Sequence, residues 1–162
     1  MTSKPKHASP IGPKKEKKSL PIIGWKEVID LPEHNISNLL AKIDTGAKTS
    51  ALDVSKVRQL NDSEVEFEIV GSRKDKSLTQ SVCCAFSGKT TIRSSNGQIQ
   101  TRYRIKTTVQ VGNKGFPIEF TLVSRKSMIC RVLIGRKALE NRFLVDPSVK
   151  YVHRSRKKVR VK

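Results

Sequence analysis

The sequence predicts an all-β fold, because period-two hydrophobic patterns recur along the chain and helical periodicity is scarce. The stretch "EVEFEIV" alternates apolar and polar residues, which places Val65, Phe67 and Ile69 on one face of a strand. The stretches "KTTVQV" and "PIEFTLV" lie on either side of "GNKG", a glycine-containing turn that indicates a β-hairpin. Many short strands with turn signals between them are typical of a closed barrel or a sandwich.

A second hairpin is predicted within "TTIRSSNGQIQTRYRI", where Asn96 and Gly97 both tolerate the positive φ of a tight turn. One short helix is predicted in "GRKALENRF", from Arg136 to Arg142. The stretch "SGKTT" imitates the end of a phosphate-binding loop, but Cys83 stands where that motif requires a glycine. It is therefore interpreted as a turn followed by the start of a strand.

The charge of +19 over 162 residues is concentrated at the two ends. Residues 1–20 carry six lysines against one glutamate, and residues 152–162 carry six lysines and arginines without an acid. Such runs repel themselves and favour disorder, so the folded domain is predicted to span residues 21–151 between two basic tails. Two interpretations stay open: solvated tails, or tails that contact a nucleic acid or a ribosome through counterion release.

The three cysteines, Cys83, Cys84 and Cys130, form no disulfide framework, which favours a reducing compartment. The basic N-terminus lacks the apolar core of a signal peptide, and a cytoplasmic location without membrane contact is expected. The three histidines are far apart in sequence and no His-Glu-x-x-His is present, so no metal site and no cofactor are predicted.

The stretch "AKIDTGAKTSAL" places an acidic residue, Asp44, between an apolar run and a glycine. Gly46 permits a tight turn that fixes the carboxylate. Two such carboxylates from two copies of the chain, about 3 Å apart, would share one proton and could activate water for peptide hydrolysis. The plain alternative is an Asx-type turn without catalytic function.

A second element, "RVLIGRKAL", has two apolar residues followed by Gly135 and the predicted helix. The order of the Asp-Thr-Gly-Ala loop, a hairpin and the apolar-apolar-Gly strand resembles that of retropepsin-like aspartic proteases. The resemblance is closer to a bacterial group labelled ATP-dependent zinc proteases, some of which accompany or are fused to RimK-type glutamate ligases. The matching stretches, from "IIGWKEVIDLPE" to "VLIGRKALENRFLVDPSVKY", cover residues 22 to 151.

The resemblance implies a retropepsin-like closed barrel with a flap hairpin, one short C-terminal helix and a dyad formed by dimerisation. Asp44 would be catalytic in each copy. The other implied site residues are Thr45, Gly46 and Ala47 in the active-site loop, Ile134 and Gly135 in the supporting strand, and Ser95, Asn96 and Gly97 at the flap tip.

Three features depart from the family pattern. Asp53 stands where many relatives of the bacterial group have a histidine. Lys48 follows Ala47, where viral retropepsins have an acidic residue soon after the alanine, so the substrate subsites are expected to differ. The span from Asp44 to Gly135 is longer than in viral relatives, and the stretch "EVEFEIVGSRKDKSLTQSVCCAF" predicts an added hairpin there.

Arg93, Arg102 and Arg136 lie in the flap arms and beside Gly135, so they either form structural contacts or line the cleft and select an acidic peptide. The expected function is a homodimeric aspartic endopeptidase that acts on a protein or peptide, with acidic or glutamate-rich tails as the favoured substrate. One alternative is a catalytically idle retropepsin-like module that binds RNA or ribosomes through its basic tails. Another is a monomeric lobe without a complete dyad.

Overall fold

β-Strands make up most of the structure, a computed structural model that describes residues 19–70, 79–93, 97–124 and 129–153. The predicted basic tails lie almost wholly outside the described residues, so their boundaries stay predictions. Within these ranges the strands are β1 (Ile22–Gly24), β2 (Lys26–Leu31), β3 (Ile36–Asp44), β4 (Ser50–Asp53), β5 (Ser55–Gln59), β6 (Glu64–Val70), β7 (Thr79–Ala85), β8 (Gly88–Arg93), β9 (Ile99–Val111), β10 (Lys114–Val123), β11 (Val132–Gly135) and β12 (Leu144–Asp146).

Six of these strands close into a barrel in the order β10, β4, β11, β3, β2 and β9, and β9 pairs again with β10. The sheet is mixed, because β11 runs parallel to β3 and β10 runs parallel to β4. Apolar side chains fill the interior, and the following are fully buried: Leu39, Leu52, Ile105, Phe120 and Val132. The predicted all-β closed barrel is therefore confirmed.

Both predicted hairpins of the barrel are present. The turn between β9 and β10 contains Gly112 with a φ of +56°, a backbone conformation that glycine adopts without steric cost. Strands β8 and β9 form the arms of the predicted flap, with Arg93 opposite Ile99. Residues 94–96 at the tip lie outside the described residues.

A separate three-stranded sheet of β5, β6 and β7 accounts for the long span between the two halves of the predicted site. Strand β6 alternates as its sequence predicts, with Val65, Phe67 and Ile69 buried. Strands β6 and β7 pair in antiparallel register, with Phe67 opposite Val82. The added hairpin predicted for this segment is therefore present.

One short helix, α1 (Arg136–Leu139), follows β11 directly. It packs through Ala138 and Leu139, which are both buried. It ends earlier than the predicted Arg142, because Glu140 has a ψ of 129° and leaves the helical conformation. No helix in the described part of the chain is long and apolar enough to cross a membrane.

Residues 149–153, here called the C-terminal strap, are anchored on a buried carboxylate. Glu27 is fully buried and accepts backbone N–H bonds from Gly24 at 2.9 Å, Val152 at 3.0 Å and His153 at 3.2 Å. These charge-assisted bonds compensate the carboxylate for its loss of hydration. The strap is thereby fixed to the beginning of β2.

The backbone of Trp25 connects the strap to β3. Its N–H donates to the carbonyl of Val149 at 3.0 Å, and its carbonyl accepts from the N–H of Ile43 at 2.9 Å. Ile43 precedes Asp44 in the chain. The strap is therefore two hydrogen bonds away from the residue before the predicted catalytic aspartate.

Candidate active site

Asp44 is the last residue of β3, and Gly135 of β11 lies beside it in the parallel register. One carboxylate oxygen, Oδ1, accepts N–H bonds from Gly46 at 3.0 Å and Ala47 at 3.2 Å. The side chain remains 24% exposed. The Asx-type turn is thus present, and it holds the carboxylate in one orientation at the surface of the barrel.

Strand β11 and the start of α1 support the loop from behind. The N–H of Arg136 donates to the carbonyl of Ala47 at 2.8 Å, and the N–H of Gly135 donates to Ser50 Oγ at 3.0 Å. A Cβ atom at Gly135 would lie 2.5 Å from the carbonyl oxygen of Thr49. Glycine is therefore required at position 135 for the loop and β11 to approach this closely.

The Arg136 side chain contacts the same loop. Its Nη1 atom donates to the carbonyls of Thr45 at 2.8 Å and Gly46 at 3.0 Å. Arg136 also lines a cleft of about 370 Å³ with Thr45, Leu139 and Phe143. The contacts favour the structural interpretation of Arg136, since the guanidinium braces the loop that carries Asp44.

The two other predicted arginines lie on the flap arms. Arg93 is exposed at the end of β8, and Arg102 of β9 donates through Nε to Gln100 Oε1 at 2.9 Å. Ser95 and Asn96 lie outside the described residues, and Gly97 has a φ of +82°. A role of these residues in substrate binding stays a prediction.

Lys42 is a site residue that the sequence reasoning missed. Its ammonium group lies 3.4 Å from Asp44 Oδ2, and its side chain is 47% exposed. The signal was present in the sequence, because residues two apart on a strand point to the same face. Lys26 of β2 lies directly opposite Lys42 in the antiparallel register, which the sequence alone does not reveal.

Asp53, the first of the residues that depart from the expected family pattern, has a structural environment. Its side chain is 6% exposed and forms a short ion pair with the guanidinium of Arg131, which is 12% exposed. The N–H of Asp53 also donates to the carbonyl of Arg131 at 2.7 Å. These two residues therefore fasten the end of β4 to the segment that enters β11.

Cys84 and Cys130 have the properties of packing residues rather than nucleophiles, whereas Cys83 is exposed. Burial, and secondarily the neighbouring Cys83, raises the pKa of the Cys84 thiol to about 11. Burial also raises the pKa of the Cys130 thiol. Both groups are therefore protonated near neutral pH, and a protonated thiol is a poor nucleophile. Within the described ranges, no group of three or more His, Cys, Asp and Glu side chains is arranged to hold a metal ion.

The barrel and this site define a class of protein. A closed six-stranded barrel, an Asp-Thr-Gly loop at the end of one strand and an apolar-apolar-Gly strand beneath it constitute a retropepsin-like aspartic protease fold. Residues 22–156 match the family model RimB-like, described as the retropepsin-like aspartic endopeptidase RimB, and the chain belongs to this family. The family that the motifs predict is confirmed.

Several relatives carry a different name. A Shewanella halifaxensis protein named "Probable alpha-L-glutamate ligase" is 33% identical over 130 residues, which are 78% of this chain and 28% of that protein. A protein of the same name from Desulfotalea psychrophila is 33% identical over 131 residues, which are 79% of this chain and 28% of that protein. The chain therefore spans less than a third of the length of these relatives.

A solved structure has the same fold. The crystal structure of a Legionella pneumophila protein of unknown function (DUF785) superposes with a TM-score of 0.70 at 24% identity. The match covers 83% of this chain and 99% of that chain. The likeness supports the barrel topology described above.

Proposed function

We propose that the protein is an aspartic endopeptidase whose active site forms from two copies of the chain. The observation that carries the proposal is the geometry of Asp44, which is oriented by two backbone N–H groups and remains partly exposed at the end of β3. The sequence contains one Asp-Thr-Gly, so each chain supplies half of a dyad. A two-fold symmetric dimer brings the same residue from each copy to the axis.

The dyad acts by general acid–base catalysis. Two carboxyl groups about 3 Å apart share one proton, because like charges at that distance do not both ionise readily. The ionised carboxylate accepts a proton from water as the water attacks the peptide carbonyl, and the protonated partner donates to the carbonyl oxygen. Water is the nucleophile and no covalent intermediate forms. The N–H groups of Gly46 and Ala47 keep Asp44 Oδ1 in place during these transfers.

The substrate is a protein or peptide with acidic, glutamate-rich sequence. Two observations support this substrate class. The chain carries a charge of +19, which attracts acidic partners. Two proteins named as probable glutamate ligases match this chain over 28% of their own length. The same domain therefore occurs in proteins whose names refer to glutamate addition.

The test measures assembly and cleavage together. Sedimentation gives the mass at working concentration, and a peptide with a glutamate-rich tail is assayed at mildly acid to neutral pH. Asp44→Asn is expected to lower kcat by about 100-fold or more, while the exposed Asp62→Asn serves as the matched control. Equal activity of Asp44→Asn and the wild type, or full activity in a strictly monomeric protein, would refute the dyad.

A further inference from the structure

Two lysines lie opposite each other beside the proposed catalytic aspartate. Lys26 of β2 and Lys42 of β3 are partners in the antiparallel register. Like charges at directly opposed positions destabilise a sheet. Positions where a local rule is broken without a structural gain are often functional sites.

The surrounding contacts locate the Lys42 ammonium group at Asp44 and the Lys26 ammonium group at two aromatic rings. Lys42 Nζ lies 3.4 Å from Asp44 Oδ2. Lys26 Nζ lies 5.9 Å from the centre of the Trp25 ring and 5.8 Å from that of Tyr151. Both lysines are also close enough to the buried Cys130 thiol to affect its pKa. Burial raises that pKa, and the positive charges of Lys26 and Lys42 oppose the rise. Lys42 therefore lies next to Asp44, and Lys26 lies beside Lys42 on the neighbouring strand.

An apolar position continues the row of side chains on the other side of Lys42. Leu133 of β11 is the register partner of Lys42, and it packs with Ala51 and Val123. Leu133 is only 7% exposed, so on this side Lys42 borders a covered apolar side chain about one strand spacing, 4.8 Å, away.

The proposed dyad does not neutralise these lysines. Two copies contribute one Lys26 and one Lys42 each, which gives four ammonium groups around the axis. Two carboxyl groups that share one proton carry a single negative charge. The excess positive charge around Asp44 is therefore available to an anionic group of a bound ligand.

We propose that Lys26 and Lys42 form a subsite that binds the side-chain carboxylate of an acidic substrate residue next to the scissile bond. This inference rests on the function proposed above and names the residues that select the substrate. Lys42 contacts the carboxylate from the strand that carries Asp44, and Lys26 contacts it from the neighbouring strand. The aromatic rings of Trp25 and Tyr151 hold the Lys26 ammonium group by cation–π contact.

The first experiment measures binding without cleavage. Trp25 is the only tryptophan of the chain and its ring lies beside Lys26, so its fluorescence reports on the subsite. Two peptides are titrated into Asp44→Asn protein. They are identical except at one position, which is glutamate in one peptide and glutamine in the other. The glutamate peptide is expected to bind about 10-fold tighter or more, because charge-assisted hydrogen bonds are the strong ones. Adding the substitutions Lys26→Met and Lys42→Met to this protein should make the affinities for the two peptides equal.

Matched variants exclude a general charge effect. Lys106→Met removes one positive charge from β9, opposite Glu119, and should leave the preference for the glutamate peptide unchanged. Lys26→Arg should retain the preference, since it keeps the charge. Equal affinities for both peptides, or a preference that survives the double lysine substitution, would overturn the subsite.

The second experiment separates this inference from the proposed function. The ratio of kcat/KM for the two peptides is measured in wild type and in the Lys26→Met, Lys42→Met protein. The ratio should fall from about 10 or more towards 1. Selective binding without cleavage of either peptide would refute the peptidase and support the carboxylate subsite. Cleavage by both proteins with an unchanged ratio would support the peptidase and refute the subsite. A double variant whose only change is that it becomes monomeric would also refute the subsite, since the lysines would then serve assembly.

Discussion

Asp44 and Asp53 lie nine residues apart on strands that both pair with β11, yet their environments are opposite. Asp53 is 6% exposed and joined tightly to Arg131, whereas Asp44 is 24% exposed and lies 3.4 Å from the more exposed Lys42. A buried, paired carboxylate is committed to structure. A partly exposed carboxylate that is held mainly by backbone N–H groups stays available to water and substrate. Partners and burial, rather than residue type, therefore distinguish the catalytic candidate.

The largest effects should come from breaking each ion pair in turn. Arg131→Met leaves the buried Asp53 without its cation and is expected to lower the free energy of unfolding by about 3–5 kcal/mol. Asp44→Asn should change stability by less than about 0.5 kcal/mol while it abolishes cleavage. Urea unfolding and the peptide assay measure the two outcomes. Equal losses of stability in the two variants would contradict the conclusion that Asp53 is structural and Asp44 is not.

Glu27 extends the comparison to a buried acid that forms no ion pair with any residue that the structure describes. Glu27→Gln replaces one acceptor oxygen by an NH₂ group that faces a backbone N–H, at a cost of about 1–3 kcal/mol. Glu66→Gln, which breaks the exposed pair with Arg58, should cost less than about 1 kcal/mol. Thermal unfolding of the two variants checks the order. A Glu66→Gln protein less stable than the Glu27→Gln protein would contradict it.

Arg136 provides a smaller effect on the active-site side of the comparison. Arg136→Met removes the bonds to the carbonyls of Thr45 and Gly46, so the loop of Asp44 loses a brace. We expect kcat to fall about 10-fold with KM nearly unchanged, since one charge-assisted contact is lost. The exposed Lys137→Met on the same helix is the control. A raised KM for acidic peptides alone would instead indicate that Arg136 binds substrate.

The smallest effect concerns the thiols. At pH 8, a Cys84 thiol with a pKa of about 11 is ionised in about one molecule in a thousand, and the ionised fraction rises only as the pH approaches 11. Iodoacetamide should therefore label the exposed Cys83 first, as mass spectrometry of wild type and Cys83→Ser protein would reveal. Peptidase activity should survive the labelling. Loss of activity with Cys84 labelling would place a thiol in the mechanism.

Local patterns predicted most of the fold. The alternation of β6, the turn at Gly112 and the short helix after Gly135 each depend on a few adjacent residues, and all are present. The Asp-Thr-Gly loop and the strand beneath it were also predicted in their correct relation. These features follow from side-chain periodicity and backbone sterics, which a sequence displays directly.

Features that depend on register between distant strands were not predicted. The opposition of Lys26 and Lys42 requires the pairing of β2 with β3. The burial of Glu27 requires the C-terminal strap to cross β2, more than 120 residues later in the chain. The hydrogen bonds from the Arg136 side chain to the carbonyls of Thr45 and Gly46 were not predicted for the same reason. The positions of charged residues in a sequence do not reveal which of them are in contact in the folded protein.

The crossing at Trp25 has a mechanical consequence. Its N–H is hydrogen-bonded to the carbonyl of Val149 and its carbonyl to the N–H of Ile43, so this one residue couples the C-terminal strap to the acid-bearing strand. A load applied at residue 153 would act first on the hydrogen bonds from Val152 and His153 to Glu27, close in the chain to Trp25. The strap and the residue that precedes the acid therefore share one anchor point.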